Sequence, residues 1–177
     1  TNKEIDFFKE VLPVGYILFA RNIDTPNQVR KLTDSFREIS GADTLVLIDQ
    51  EGGRVQRRKP PHWRDYPTAK FFGDIYLRDR QVARDALALN VQMIGHDLRA
   101  VGVNVDCLPV LDIPVTGADP IIGDRAYGLN PENVSDLGRT VVDAIMKAGV
   151  LPVIKHIPGH GRADVDSHLS LPTVDEA

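Results

Sequence analysis

Disulfide chemistry within the chain is ruled out, because Cys107 is the only cysteine among 177 residues. A solitary thiol suits a reducing compartment, so a cytoplasmic setting is expected. Long apolar runs are missing too. No stretch approaches the roughly 20 residues that a bilayer-spanning helix needs, and the opening segment Thr1 to Glu10 lacks the continuous apolar core of a signal peptide. No membrane partner is expected. Neither sign of charge dominates: 21 Lys and Arg stand against 25 Asp and Glu, for a net −4. The charges are interspersed, without the basic stripe that draws nucleic acid to a surface, so no nucleic-acid partner is expected either. Internal repeats, low-complexity tracts and flexible linkers are absent. What remains is 42% apolar, enough for one substantial core and too short for two ordinary domains.

Four short apolar runs read as buried strands: Gly15 to Ala20, Thr44 to Asp49, Val103 to Leu108 and Val150 to Lys155. Between them lie segments of helical spacing. Pro26 to Ile39 carries Val29, Leu32, Phe36 and Ile39 on one stripe, with Thr25 as N-cap, Pro26 at the first helical position and Gly41 as the stop. Asp79 to Val101 places Val82, Ala86, Leu89, Met93 and Leu98 on or near one face, with Gly102 behind it. Asn130 to Lys147 repeats the pattern through Val134, Leu137, Val141 and Ile145, ending before Gly149. Strands and helices in this alternation predict an α/β fold with parallel strands and right-handed crossovers, either a doubly wound sheet or a TIM barrel. No Gly-x-Gly-x-x-Gly follows the first strand, which weakens the dinucleotide-binding alternative. Asp49, Asp106 and Lys155-His156 all fall at C-terminal strand ends, where barrel enzymes gather their chemistry. The Lys59 to Arg64 stretch, rich in proline, reads as a loop.

The most informative segment is Lys155-His-Ile-Pro-Gly-His-Gly161, followed by Asp166-Ser-His168. It is too polar and too rich in glycine to be core. A lysine and a histidine leaving a strand supply a compact cation and an adaptable donor or acceptor for sugar hydroxyls. Gly159 and Gly161 make the next loop a candidate for movement. In an extended loop Asp166 and His168 project to the same side, so the carboxylate fixes one ring nitrogen and leaves the other for proton transfer. The plain alternative is a local turn or surface hydrogen bond. Zinc held by His156, His160 and His168 with an aspartate is a second alternative. Asp49-Gln-Glu-Gly-Gly-Arg-Val-Gln-Arg57 offers a carboxylate for adjacent hydroxyls and Arg57 as a donor; the plain reading is a turn cap with Arg54 and Arg57 in solvent salt bridges. Arg125, in Gly123 to Gly128, is another candidate donor.

These pieces, taken together, resemble the bacterial β-N-acetylglucosaminidases of glycoside hydrolase family 3. The matching motifs are Ile17-Leu-Phe-Ala-Arg-Asn22, Asp49 to Arg57, Pro109-Val-Leu-Asp112, Arg125 in its loop, and Lys155 to Gly161 with Asp166-Ser-His168. The last is the specific one, since it separates this branch from the β-glucosidase-like members. Ile157 stands where the family pattern has phenylalanine. The resemblance implies a (β/α)8 TIM barrel, of which residues 1–177 form the N-terminal half to two thirds of a single domain. It implies His168, oriented by Asp166, as the acid/base, and Asp49, Arg57, Arg125, Lys155 and His156 as the holders of N-acetylglucosamine, with no cofactor. It implies a retaining hydrolase of N-acetylglucosaminides acting in peptidoglycan recycling, with an aspartate nucleophile on a later strand; Asp175 follows His168 too closely for that role. The chain by itself is therefore expected to be inactive. Two other readings compete: an amino-sugar-binding remnant without catalysis, and a metal-dependent hydrolase. They part on one measurement: hydrolysis of an aryl N-acetyl-β-glucosaminide by the full-length protein is expected to persist unchanged in excess EDTA, whereas a metal-dependent enzyme loses it.

Overall fold

A computed structural model of the chain describes residues 1–174; Asp175, excluded as a nucleophile by its spacing, lies outside them. In chain order the principal elements are α1 (Asn2–Val11), β1 (Gly15–Leu18), α2 (Pro26–Ser40), β2 (Leu45–Ile48), β3 (Gln50–Gly52), β4 (Val55–Gln56), α3 (Ala69–Tyr76), α4 (Arg80–Ala100), β5 (Val105–Asp106), α5 (Pro131–Lys147) and β6 (Leu151–Pro152). Four of the strands form one parallel sheet in the order β1-β2-β5-β6. Gly15 pairs with Leu45, Leu47 with Val105, and Val105 with Leu151. Each new strand adds to the same edge as its predecessor. That single direction of growth is the mark of a barrel arc, because a doubly wound sheet reverses at a switch point. The chain is thus an α/β, barrel-type arc, and the doubly wound alternative is settled against.

The ladder continues past the named strands. Leu111 N–H donates to Lys155 O at 2.8 Å and Lys155 N–H to Pro109 O at 3.1 Å, so the backbone that presents Lys155 is held by its neighbour. At the start of β5 the Asn104 side chain substitutes for ladder groups. It accepts from Val46 N–H at 2.7 Å and donates to Thr44 O at 3.1 Å. Side chains alternate across the arc: Tyr16, Leu18, Val46 and Ile48 are buried under the helices, while Ile17 points to the other face and is exposed.

Three helices form where the sequence predicts them. Helix α2 starts at Thr25, whose hydroxyl accepts from Gln28 N–H, and stops at Gly41 with φ +101°. Helix α5 starts at Asn130, and its stripe Val134, Leu137, Val141 and Ile145 is buried. Helix α4 is capped by Asp79, but its buried face is not the expected one. Ala83, Leu87, Val91, Ile94 and Leu98 are buried, and Val82, Leu89 and Met93 face outward. The helix packs against both α3 and α5. Two neighbours shift the buried stripe by one residue toward the angle between them, and only Leu98 of the expected inner set belongs to it.

Helices α1 and α3 and the small antiparallel hairpin of β3 and β4 have no counterpart in the sequence reading. Helix α3 matters to the site, because Gly73 lies directly on the backbone carbonyl of Tyr127 with no room for a Cβ. This contact fixes the loop that carries Arg125. Gly73→Ala is expected to cost about 1–3 kcal/mol, read as a fall in Tm of roughly 2–10 °C. Gly128→Ala, in open space, is expected to move Tm by no more than about 2 °C; equal shifts in the two would refute the packing.

Candidate active site

Polar side chains converge at the C-terminal ends of β2, β5 and β6. Asp49 follows β2 directly, and the β3–β4 hairpin then folds the chain back so that Arg57 returns beside it. The buried amide of Gln50 makes that fold. Its Oε1 accepts from the N–H groups of Arg57 at 3.1 Å and Arg58 at 3.0 Å, and its Nε2 donates to Arg58 O at 3.1 Å. Arg57 Nη2 reaches Asp49 Oδ2 at 2.8 Å. From β6, Lys155 Nζ donates to Asp49 Oδ1 at 2.8 Å and forms an ion pair with Glu51 Oε1 at 2.6 Å. Glu51 then takes Arg125 in a two-pronged pair, from Nε and Nη2, each at 2.9 Å.

The line continues to the histidine. Arg125 Nη2 lies 3.3 Å from His156 Nε2. A guanidinium only donates, so Nε2 is the acceptor and the ring proton sits on Nδ1, which is bonded to Asp112 Oδ2. Asp112 Oδ1 in turn accepts from His160 N–H at 2.5 Å. Arg57, Asp49, Lys155, Glu51, Arg125, His156 and Asp112 are therefore one connected run of hydrogen bonds. Its three cations and three carboxylates cancel in charge.

Burial alone would discharge these groups, and their partners prevent it. Desolvation pushes the Lys155 ammonium down, yet Glu51 and Asp49 together hold its pKa above the ordinary lysine value. Desolvation likewise pushes Asp49 up, and Lys155 and Arg57 more than reverse it; Asp112 is lowered against its burial by His156 and the His160 N–H. Asp106 is the contrast. It is completely buried, accepts from Gln50 N–H at 3.0 Å through Oδ1, and its Oδ2 has no partner, so burial raises its pKa well above the ordinary value. It lies as a strut under the hairpin, bound to the Gln50 N–H. Counting donors leaves capacity for a ligand: Lys155 spends two of its three N–H groups, and both Asp49 oxygens retain a lone pair.

The structure brings Asp49, Arg57, Arg125, Lys155 and His156 together. Asp166 and His168 are also joined to each other, as His168 Nδ1 lies 2.7 Å from Asp166 Oδ1. The same oxygen accepts from His168 N–H at 2.9 Å, and Leu169 and Ser170 N–H close on Asp166 O. This is a turn, not the extended segment expected from the sequence, because an aspartate side chain captures the backbone N–H two residues on. The His168 N–H and ring together hold the Asp166 carboxyl below its ordinary range. The His168 side chain is 80% exposed, and no hydrogen bond links the pair to the cluster. The root of its loop is anchored: Val115 N–H donates to Gly161 O and Asp119 N–H to Ala163 O. His156 and His160 ring centroids are 6.1 Å apart, and among the described residues no three His, Cys, Asp or Glu side chains group closely enough to hold one metal ion.

Two members of the cluster escaped the sequence reading. Glu51 lies in β3 two residues after Asp49, so the two-residue period puts both on the same side, and that period was the available signal. Asp112 was quoted only as part of a motif; its role depends on His156, 44 positions away. Arg54, read as a solvent salt bridge, pairs with Asp124 at 3.0 Å on the surface.

Residues 5–177 match the family described as "Glycosyl hydrolase family 3 N terminal domain". A beta-hexosaminidase of Thioalkalivibrio sulfidiphilus is 42% identical over 161 residues, covering 89% of this chain and 45% of that protein. Another from Methylobacillus flagellatus is 36% identical, covering 99% of this chain and 50% of its own length. NagZ from Neisseria gonorrhoeae, solved in complex with N-trifluoroacetyl-D-glucosamine, superposes with a TM-score of 0.90 at 32% identity, over 97% of this chain and 50% of that one. The chain spans about half the length of the curated relatives it matches.

The lowered carboxylates also set an acid limit. Asp49 and Asp112 sit below the ordinary aspartate value of 3.8 when folded, so their contribution is complete above that value and is lost as pH falls through the folded values. Tm is expected to fall steeply as pH drops from roughly 4 to 2. The drop between pH 4 and pH 2 is expected to be smaller in Asp112→Asn, and an unchanged drop would count against the coupling.

Proposed function

The chain belongs to the glycosyl hydrolase family 3 N-terminal domain family, and on that premise we propose that its protein is a retaining β-N-acetylglucosaminidase. Asp49, Arg57 and Lys155 bind the hydroxyls of a terminal N-acetylglucosamine, Arg125 contributes its one unspent Nη1 donor, and His156 exchanges its Arg125 contact for a hydroxyl. A site whose cations and carboxylates cancel favours a neutral sugar over a charged one. The observation that carries the catalytic assignment is the Asp166–His168 pair. With Nδ1 given to a carboxylate, Nε2 is left to protonate the glycosidic oxygen and then to take a proton from water. The retaining course also requires a carboxylate nucleophile, which we place outside residues 1–177.

The Lys155 to Gly161 and Asp166 to His168 motifs support N-acetylglucosaminyl-anhydromuropeptides of wall recycling as the physiological substrate class. A lone buried Cys107 suits a cytoplasmic enzyme. One observation favours the competing sugar-binding reading: the exposed ring of His168 touches none of the cluster. In the proposed cycle the loop carries that ring to the linkage by swinging from its anchored root at Gly161 and Ala163.

The test is His168→Ala in the full-length protein, with an aryl N-acetyl-β-glucosaminide. Turnover is expected to fall by about 10²–10⁴-fold with KM little changed. Unaltered kcat would remove the dyad from the reaction, and binding of N-acetylglucosamine without any turnover by the unaltered protein would favour the non-catalytic reading.

A further inference from the structure

Like Asp49, Glu51 joins Lys155 to an arginine from another element, but nothing in the proposed function uses it. Its side chain is 8% exposed, an expensive place for a charge without partners. All its bonds are accounted for: Oε1 receives Lys155 Nζ at 2.6 Å and Arg125 Nη2 at 2.9 Å, and Oε2 receives Arg125 Nε at 2.9 Å. A carboxylate so occupied is badly placed to exchange protons with a substrate, so it is not the second carboxylate of a glycosidase pair. Its geometry has a different consequence. The Lys155 ammonium sits between Asp49 and Glu51, so the two carboxylates set where it can present a donor to a hydroxyl. Apart from Glu51, Arg125 is touched by Ile121 O at 3.4 Å and by His156 Nε2 at 3.3 Å, both longer than its paired bonds to the carboxylate.

We propose that Glu51 is a positioning residue that never touches the sugar: it holds the Lys155 ammonium and the Arg125 guanidinium in the directions from which they reach the hydroxyls. This rests on the glycosidase reading. The backbone does not depend on it. The hairpin is held by the Gln50 amide and Asp106, and Lys155 is held by Pro109 and Leu111. The isosteric Glu51→Gln keeps the size and leaves an amide N–H₂ facing a cation, so its effect falls on side-chain direction.

In the full-length protein, KM for an aryl N-acetyl-β-glucosaminide is expected to rise about tenfold in Glu51→Gln, the scale of one hydrogen bond to a charged group. The accompanying loss of kcat is smaller. Glu51→Asp keeps the charge on a shorter stem, and its KM is expected to fall between wild type and Glu51→Gln. A merely structural role lowers the amount of active protein, and with it apparent kcat, at constant KM. Wild-type KM in Glu51→Gln, with normal turnover by the unaltered protein, overturns this proposal and leaves the glycosidase reading standing. Absence of turnover by the unaltered protein overturns that reading, and this one with it. If Glu51→Gln does not fold, Glu51→Asp decides: a raised KM supports the role and an unchanged KM ends it.

Discussion

The Lys155 ammonium, shared between Asp49 and Glu51, is the contact on which the cluster depends. Asp49 and Glu51 are two residues apart and face the same way, so without a cation between them their charges would repel across a half-buried surface. Lys155 arrives from β6, 106 positions from Asp49, and turns that repulsion into a bridge across the top of the arc. Each carboxylate then recruits a further arginine, Arg57 to Asp49 and Arg125 to Glu51. Remove the ammonium and both halves of the network lose their common member.

Below this layer the polar groups do different work. Gln50, Arg58 and Asp106 are fully buried, and they hold backbone in place. Asp106 accepts from Gln50 N–H, Gln50 closes the hairpin, and Arg58 donates to Asp97 O at 2.8 Å while lying over the Trp63 ring. Burial therefore sorts the polar side chains by role. Those with no exposure are committed to the fold, and those with some surface left, such as Asp49 and Lys155, retain lone pairs or donors for a ligand.

The sequence made the frame legible because its signals were local and redundant. The four strands were short apolar runs, two of them ending in a polar residue, Asp49 and Lys155, and α2 and α5 had a cap at the start, a stripe along one side and a glycine at the end. Helix α4 was found but its inner face was misphased, since that face is chosen by two neighbours that a linear pattern does not reveal. Helix α3 is only eight residues long, and the hairpin strands hold three and two residues, too short for periodicity to register. At the site, Asp49, Lys155 and His156 stood out at strand ends. Glu51 did not, because its partner Arg125 is 74 residues away and its own neighbours read as a glycine turn. The Asp166–His168 pair was visible because both members lie within one turn of chain, although the shape of that turn was not.

The cancellation of charge within the cluster governs how the site responds to its medium. Each cation already has a carboxylate within hydrogen-bonding distance, so the field reaching beyond the rim is that of small dipoles rather than of a bare ion. Dissolved electrolyte has little long-range attraction to screen there. If the proposed function holds, capture of a neutral pyranose is then governed by short-range fit and by the release of ordered water, and proceeds almost equally well in dilute buffer and in concentrated salt.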